Sequence, residues 1–174
     1  MKFRPLVVVI AFSVYGTCLA QTIVEEKVDE FTGNKVRRTS WEFINRVVKS
    51  EARFRISQVN DIMTFDLKII LGAGRGEVFS IKEGDELMFL MEGGEVIKLQ
   101  NIEHQITCMG CGAVGLAGSE RMGISVSYLL TKDAFEKLKS GTSVKLRVYT
   151  SIGYTEFELN EQQKIRLKTA LGLF

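Results

Sequence analysis

The sequence predicts a β-rich α+β domain. Its antiparallel sheet, or sheets closed as a sandwich, is built from consecutive hairpins with about nine strands and one or two short helices, the last at the C-terminus. Three observations carry this reading. Apolar and polar residues alternate with period two through most of the chain, and short Gly-, Asn- and Asp-containing turns interrupt the alternation. Folding the segments about those turns brings opposite charges face to face. Two later segments switch to helical spacing and carry helix caps.

The first segment is not expected to belong to the fold. Lys2 and Arg4 precede an apolar run from Leu6 to Val14, and small residues stand at Cys18 and Ala20. This is the pattern of a secretory signal peptide, residues 1–20, cleaved after Ala20. The apolar run is shorter than the roughly 20 residues that span a bilayer, and no later run is longer. Residues 21–174 are therefore expected to form one soluble globular domain, exported to a periplasm or secreted. The alternative is lipid anchoring through Cys18, for which Tyr15, Gly16 and Thr17 make a poor lipobox.

Four hairpins follow. The first pairs Thr22 to Phe31 with Lys35 to Ile44 across Gly33-Asn34, setting Glu30 against Arg37 and Asp29 against Arg38. The second pairs Arg53 to Val59 with Ile62 to Leu71 across Asn60-Asp61. Ile56 then meets Phe65 and Phe54 meets Leu67 inside, while Arg55 meets Asp66 outside. A one-residue slip here would bury the charges, so the register is well specified. The third pairs Glu86 to Glu92 with Glu95 to Asn101 across Gly93-Gly94. One face would hold Met88, Leu90, Ile97 and Leu99, the other Leu87, Phe89, Met91 and Val96. A strand apolar on both faces is expected to be covered twice, so the second set is a candidate interface. The fourth pairs Val144 to Thr150 with Thr155 to Leu159 across Ile152-Gly153, matching Val148 with Phe157, Leu146 with Leu159 and Arg147 with Glu158. A ninth strand runs from Gly123 to Leu130. Thr131 caps a helix through Lys139 with Gly141 just beyond it. Asn160 and Gln163 form a capping box on a second helix, whose buried side would carry Ile165, Leu167, Leu171 and Phe174.

Composition narrows the function. The net charge of +2 comes from 23 basic and 21 acidic residues. Losing Lys2 and Arg4 with the signal segment leaves a neutral domain, which argues against nucleic acid as a partner. The single proline, Pro5, leaves with it, so no cis-proline can serve a mechanism.

Chemistry is concentrated between Ile102 and Gly123. This stretch holds the single histidine, His104, together with Cys108, Cys111 and the glycines 110, 112, 115, 118 and 123. Two cysteines in an exported domain ordinarily oxidise to a structural disulfide. A bridge over so short a loop stabilises by about 2 kcal/mol in the chain-entropy picture. A second reading is an inert or redox-active thiol pair. The glycine-rich sequence after Cys111 does not make the helix start that activates thioredoxin-type thiols. A third reading is zinc held by His104, Cys108 and Cys111, which lacks an identifiable fourth ligand. Gly72-Ala-Gly-Arg-Gly has neither dinucleotide-loop spacing nor the Gly-Lys-Ser/Thr of a phosphate loop. Ser119 lies outside a nucleophile-elbow motif.

The loop from Gly112 to Gly118 carries Val114 and Leu116, which either touch a partner or plug one end of the sheet. Trp41, with Arg37 and Arg38 nearby in sequence, reads as a half-buried cross-strand aromatic or a binding patch. Two functional readings remain. One is a non-enzymatic envelope or secreted module that binds a protein or ligand, with oligomerisation open. The other is a thiol-redox or metal protein centred on His104, Cys108 and Cys111.

Overall fold

The computed structural model describes residues 22–47 and 50–174. The expected signal segment 1–20, the cleavage expected after Ala20 and the alternative anchor at Cys18 fall outside the described residues. In chain order the elements are β1 (Ile23–Val28), β2 (Lys35–Thr39), β3 (Glu42–Val47), β4 (Ser50–Val59), β5 (Ile62–Leu71), β6 (Ser80–Ile81), β7 (Glu86–Met91), β8 (Val96–Asn101), β9 (Gln105–Ile106), β10 (Cys108–Met109), β11 (Met122–Leu129), α1 (Lys132–Ser140), β12 (Ser143–Thr150), β13 (Gly153–Glu158) and α2 (Glu161–Gly172). Eleven strands form one antiparallel sheet in the order β1-β2-β4-β5-β11-β8-β7-β12-β13. In it β3 shares an edge of β4 with β2, and β10 shares an edge of β11 with β8. A separate ribbon joins β6 to β9. The antiparallel, hairpin-built architecture with a C-terminal helix is the one the alternation predicts.

The sheet curls over on itself. Phe65 on β5 and Phe89 on β7 lie three strands apart in the sheet order, yet their ring centroids are 5.2 Å apart in a T-shaped contact. Neighbouring strands are about 4.8 Å apart, so a flat sheet would hold these rings well out of reach. Phe54 stacks on the other side of Phe65 at 5.4 Å. Twist accumulated over many strands brings the inner faces together. Helix α2 fills the remaining gap. Its Leu167 borders one small space together with Ile44, Phe54 and Phe65 from one half and Leu146 and Leu159 from the other. Arg166 pairs with Glu42 of β3 at 3.2 Å and fastens the helix over that gap.

Both helices begin where their caps predict. The Thr131 side chain accepts from the Ala134 N–H, and Asn160 and Gln163 close a reciprocal capping box. In α2 the buried residues are Leu167, Ala170 and Leu171, with Phe174 packed against the core. Ile165, expected on that side, is 63% exposed. Two residues from Leu167 is about 200° around the helix, which puts it on the opposite face.

The β4–β5 hairpin has the expected register: Phe54 faces Leu67, Arg55 faces Asp66 and Ile56 faces Phe65. The other three hairpins are shifted, each for a local reason. In the first, Glu26 faces Arg37 and Glu25 faces Arg38, in place of Glu30 and Asp29. Asp29 closes a longer turn: its Oδ1 accepts from the Phe31 and Thr32 N–H groups at 3.1 and 2.8 Å. In the third, Met91 N–H donates to Glu95 O and Gly94 N–H to Met91 O, a three-residue loop with Gly94 at φ +84. That adds one residue to the expected turn. Leu87 now faces Leu99 and Phe89 faces Ile97. In the fourth, the turn residues are Ser151 and Ile152, so Leu146 faces Phe157 and Arg147 faces Glu156. This shift is by two residues, an even number, and Leu146, Val148 and Phe157 remain inside.

The odd shift in the third hairpin corrects the candidate interface. Leu87, Phe89 and Met91 are buried in the main core together with Ile97 and Leu99. Val96 lies on the opposite, outer face with Met88 and Leu90, against the stems of Lys145 and Arg147. The second apolar face is thus the core face, and three of its four residues are not accessible to a partner.

The strand expected from Lys35 to Ile44 divides into β2 and β3 at Ser40-Trp41, and both parts pair with β4. At the break, Ile56 N–H donates to Thr39 Oγ1 at 3.0 Å and so keeps a buried amide satisfied.

Candidate binding face

The cysteines lie on a tight turn beside β11. Cys108 faces Gly123 across β10–β11. Cys111 N–H turns back to Cys108 O at 3.2 Å. Cys108 and Cys111 come to disulfide distance, their Cα atoms 5.3 Å apart. Cys108 is exposed and Cys111 half-buried. His104 is exposed on the connection between β8 and β9 and does not join them. Among the described residues no group of three or more His, Cys, Asp or Glu side chains is placed to hold a metal. The His104, Cys108, Cys111 set is therefore not assembled as a zinc site.

The loop after Cys111 folds back over the outer face of β5, whereas the plugging alternative places Val114 and Leu116 over one end of the sheet, and other residues make the contact. Gly112 and Gly123 approach so closely that a Cβ on Gly123 would stand 2.7 Å from the Gly112 Cα, and one on Gly112 would stand 2.6 Å from Ile70 Cγ1. No other residue type fits that crossing. Ala113 is buried behind it. Val114 is half-buried, and Leu116 stands out at 92% exposure on a small turn closed by the Val114–Ala117 bridge. Arg121 laces this loop to the one after β5, donating to Gly72 O at 2.8 Å and Gly74 O at 3.1 Å.

Beside the loop, the outer face of β3, β4, β5 and β11 carries a polar array. Asp66 is buried and accepts four hydrogen bonds: from Arg55 Nε at 2.8 Å, Ser57 Oγ at 2.6 Å, Thr64 Oγ1 at 2.8 Å and Ser127 Oγ at 2.8 Å. Burial pushes its carboxyl up. The bonds from Ser57 and Arg55, the Arg55 charge and the bond from Thr64 outweigh that and hold it below the ordinary range. The next row across the sheet is Phe43, Arg53, Lys68 and Ser125. Arg53 Cζ sits 4.0 Å from the centre of the Phe43 ring, and Arg55 Cζ and Lys68 Nζ sit 4.5 and 5.1 Å from that of Trp41. Trp41 is half-buried, and its cationic partners are Arg55 and Lys68. Arg37 instead covers the Phe174 ring, and Arg38 pairs with Glu25. The Lys68 ammonium donates to Ala113 O, which ties this face to the cysteine loop.

The Arg53–Lys68 pair was not singled out from the sequence, although the β4–β5 register implies it. An open groove of about 850 Å³ lies elsewhere, beside β1 and β2, with Glu26, Lys27, Lys35, Arg37 and Asp61 in its walls. Its charges partly answer one another, Arg37 Nε lying 3.8 Å from Glu26 Oε1.

No protein-family model, curated protein or solved structure matches this chain. Among the described residues no helix is long and apolar enough to cross a membrane.

Proposed function

We propose that this chain is an exported, non-enzymatic module that binds a protein or ligand, and that the loop bearing Val114 and Leu116 is its docking element. The observation that carries this reading is Leu116. It is 92% exposed on a loop whose base is held by the cysteine pair, by the Gly112–Gly123 crossing and by Lys68 on Ala113 O. An apolar tip on a fixed base binds with little further loss of conformational entropy, which favours affinity. Site-specific photo-crosslinking tests it. A crosslinker at position 116, in cells exporting the chain, is expected to give an adduct of discrete mass that the same crosslinker at exposed Ile165 does not. Equal labelling at both positions, or none at 116, sinks the proposal.

Exposure of Cys108 supports a second reading, thiol exchange at the Cys108–Cys111 pair, since exposed disulfides are the exchangeable ones. A Cys108→Ser, Cys111→Ser variant that keeps the position-116 adduct and leaves the cellular phenotype unchanged would rule it out.

A further inference from the structure

We propose that Arg53, Lys68 and Arg55, framed by Phe43 and Trp41, form a binding site for a phosphate-type oxyanion carried by a soluble ligand. The site shares Lys68 with the base of the Leu116 loop, and the two proposals are told apart by their readouts, Trp41 emission for the anion and crosslinking at position 116 for the loop.

The argument begins with a pairing that the fold does not require. Arg53 and Lys68 are direct cross-strand neighbours on the outer face. Like charges so placed repel and destabilise a sheet. Two residues along, the same two strands place Arg55 opposite Asp66, the favourable choice. Arg55 is also two residues from Arg53, hence on the same face.

Nearby acids pair with two of the three cations, Asp66 with Arg55 and Glu51 with Arg53, and leave Lys68 without a carboxylate. Asp66 already accepts four hydrogen bonds. Glu51 is taken by Arg53 Nε at 2.9 Å. The acceptor found for the Lys68 ammonium is a neutral backbone carbonyl, that of Ala113. Burial, then the Arg55 and Arg53 charges, hold the Lys68 amine below its ordinary value, so an incoming anion would relieve a repulsion already present.

The geometry also suits an anion. Stacking on Phe43 and Trp41 fixes the two guanidinium groups. Each Arg spends its Nε on a carboxylate and keeps its terminal nitrogens for a ligand. Fixed guanidinium edges plus one ammonium suit a multiply charged tetrahedral oxyanion, which accepts several hydrogen bonds at once.

Trp41 is the chain's single tryptophan and touches two of the three cations, so its fluorescence reports on the site. The experiment titrates the folded protein with inorganic phosphate and pyrophosphate, at ionic strength matched with sodium chloride. A saturable change in Trp41 emission is expected. Its midpoint should rise about tenfold in Lys68→Gln, equivalent to about 1.4 kcal/mol, recover in Lys68→Arg, and stay unchanged in Lys98→Gln on β8. Lys68→Gln removes a repulsion and also the bond to Ala113 O, so its thermal melt is recorded beside the titration. Should that variant fail to fold, Lys68→Arg against the parent, with pyrophosphate-dependent thermal shift as readout, decides. Emission that follows ionic strength alone, or a midpoint unmoved in folded Lys68→Gln, overturns the proposal. A response confined to vesicles of phosphatidylglycerol would assign the oxyanion to a lipid headgroup and overturn the soluble source.

Discussion

The hairpins β4–β5 and β7–β8 serve one core but treat their outer faces differently. Inside they are equivalent: Phe65 from one and Phe89 from the other meet ring edge to ring face. Outside, β4–β5 carries a buried carboxylate with its hydroxyl and guanidinium donors, bordered by a row of cations. The outer face of β7–β8 carries Met88, Leu90 and Val96, shaded by Lys145 and Arg147. In the first hairpin the polar face selects the register, because a one-residue slip would push Arg55 and Asp66 into the core. In the second, both faces tolerate apolar side chains, so the geometry of the turn decides.

Substitutions on the two hairpins test this difference. The largest effect is expected at the shared inner face. Phe89→Ala should lower unfolding free energy by about 3–5 kcal/mol. Leu90→Ala, the next residue, should lower it by less than about 1 kcal/mol. Equal losses in chemical denaturation would mean that the outer face of β7–β8 is covered. Next comes Asp66→Asn, expected to cost about 2 kcal/mol at neutral pH through weakened bonds to Arg55, Ser57, Thr64 and Ser127. The sign of its pH dependence follows from the lowered carboxyl. A group with a depressed folded value stabilises fully above its unfolded value, about 3.9 for aspartate, and loses that contribution as pH falls through the folded value. Wild type and Asp66→Asn should therefore differ by a constant amount above about pH 5 and converge in stronger acid. Denaturation curves that stay parallel down to low pH would show that Asp66 contributes nothing through its charge. The smallest effect concerns the turn: Gly94→Ala, at φ +84, should cost about 1–2 kcal/mol. The equivalent change at Gly93, which has open space around it and no such φ, should cost less. Thermal melts of the two variants rank them.

The same contrast explains how much of the molecule was legible in its sequence. Alternation and the Arg55–Asp66 pair specified β4–β5 residue by residue, and the caps at Thr131 and Asn160 located both helices. The β7–β8 face assignment failed because Leu87 to Met91 is an unbroken apolar run, with nothing to report a shift of one. The first hairpin was misplaced by four residues because Asp29, read as a strand residue, folds back on Thr32. The break at Ser40-Trp41 has no glycine or proline to announce it. At the candidate site, the cysteine pair was legible from spacing, whereas the path of the loop over β5 was not. That Ala113 and not Leu116 fills the contact depends on the Gly112–Gly123 crossing, which follows from a fold that already exists. The Arg53–Lys68 row was within reach: once Ile56 is set against Phe65, three residues back on one strand and three forward on the other give Arg53 against Lys68. A cross-strand pair that runs against charge preference is a signal in itself.

The sheet order has a mechanical consequence. β11 meets β5 along its length from Ile124 to Leu129, but it meets β8 through only Tyr128–Asn101 and Leu129–Gln100. The molecule is a pair of leaves joined by a narrow spine, with α2 as the clasp across their open side. Loosening the clasp, for instance by removing the Arg166–Glu42 tie, is expected to let the leaf of β12 and β13 swing about that spine and wet Leu146 and Phe157 while the ladder of β4, β5 and β11 stays shut. Amides of the two leaves should then exchange their hydrogens at separate rates.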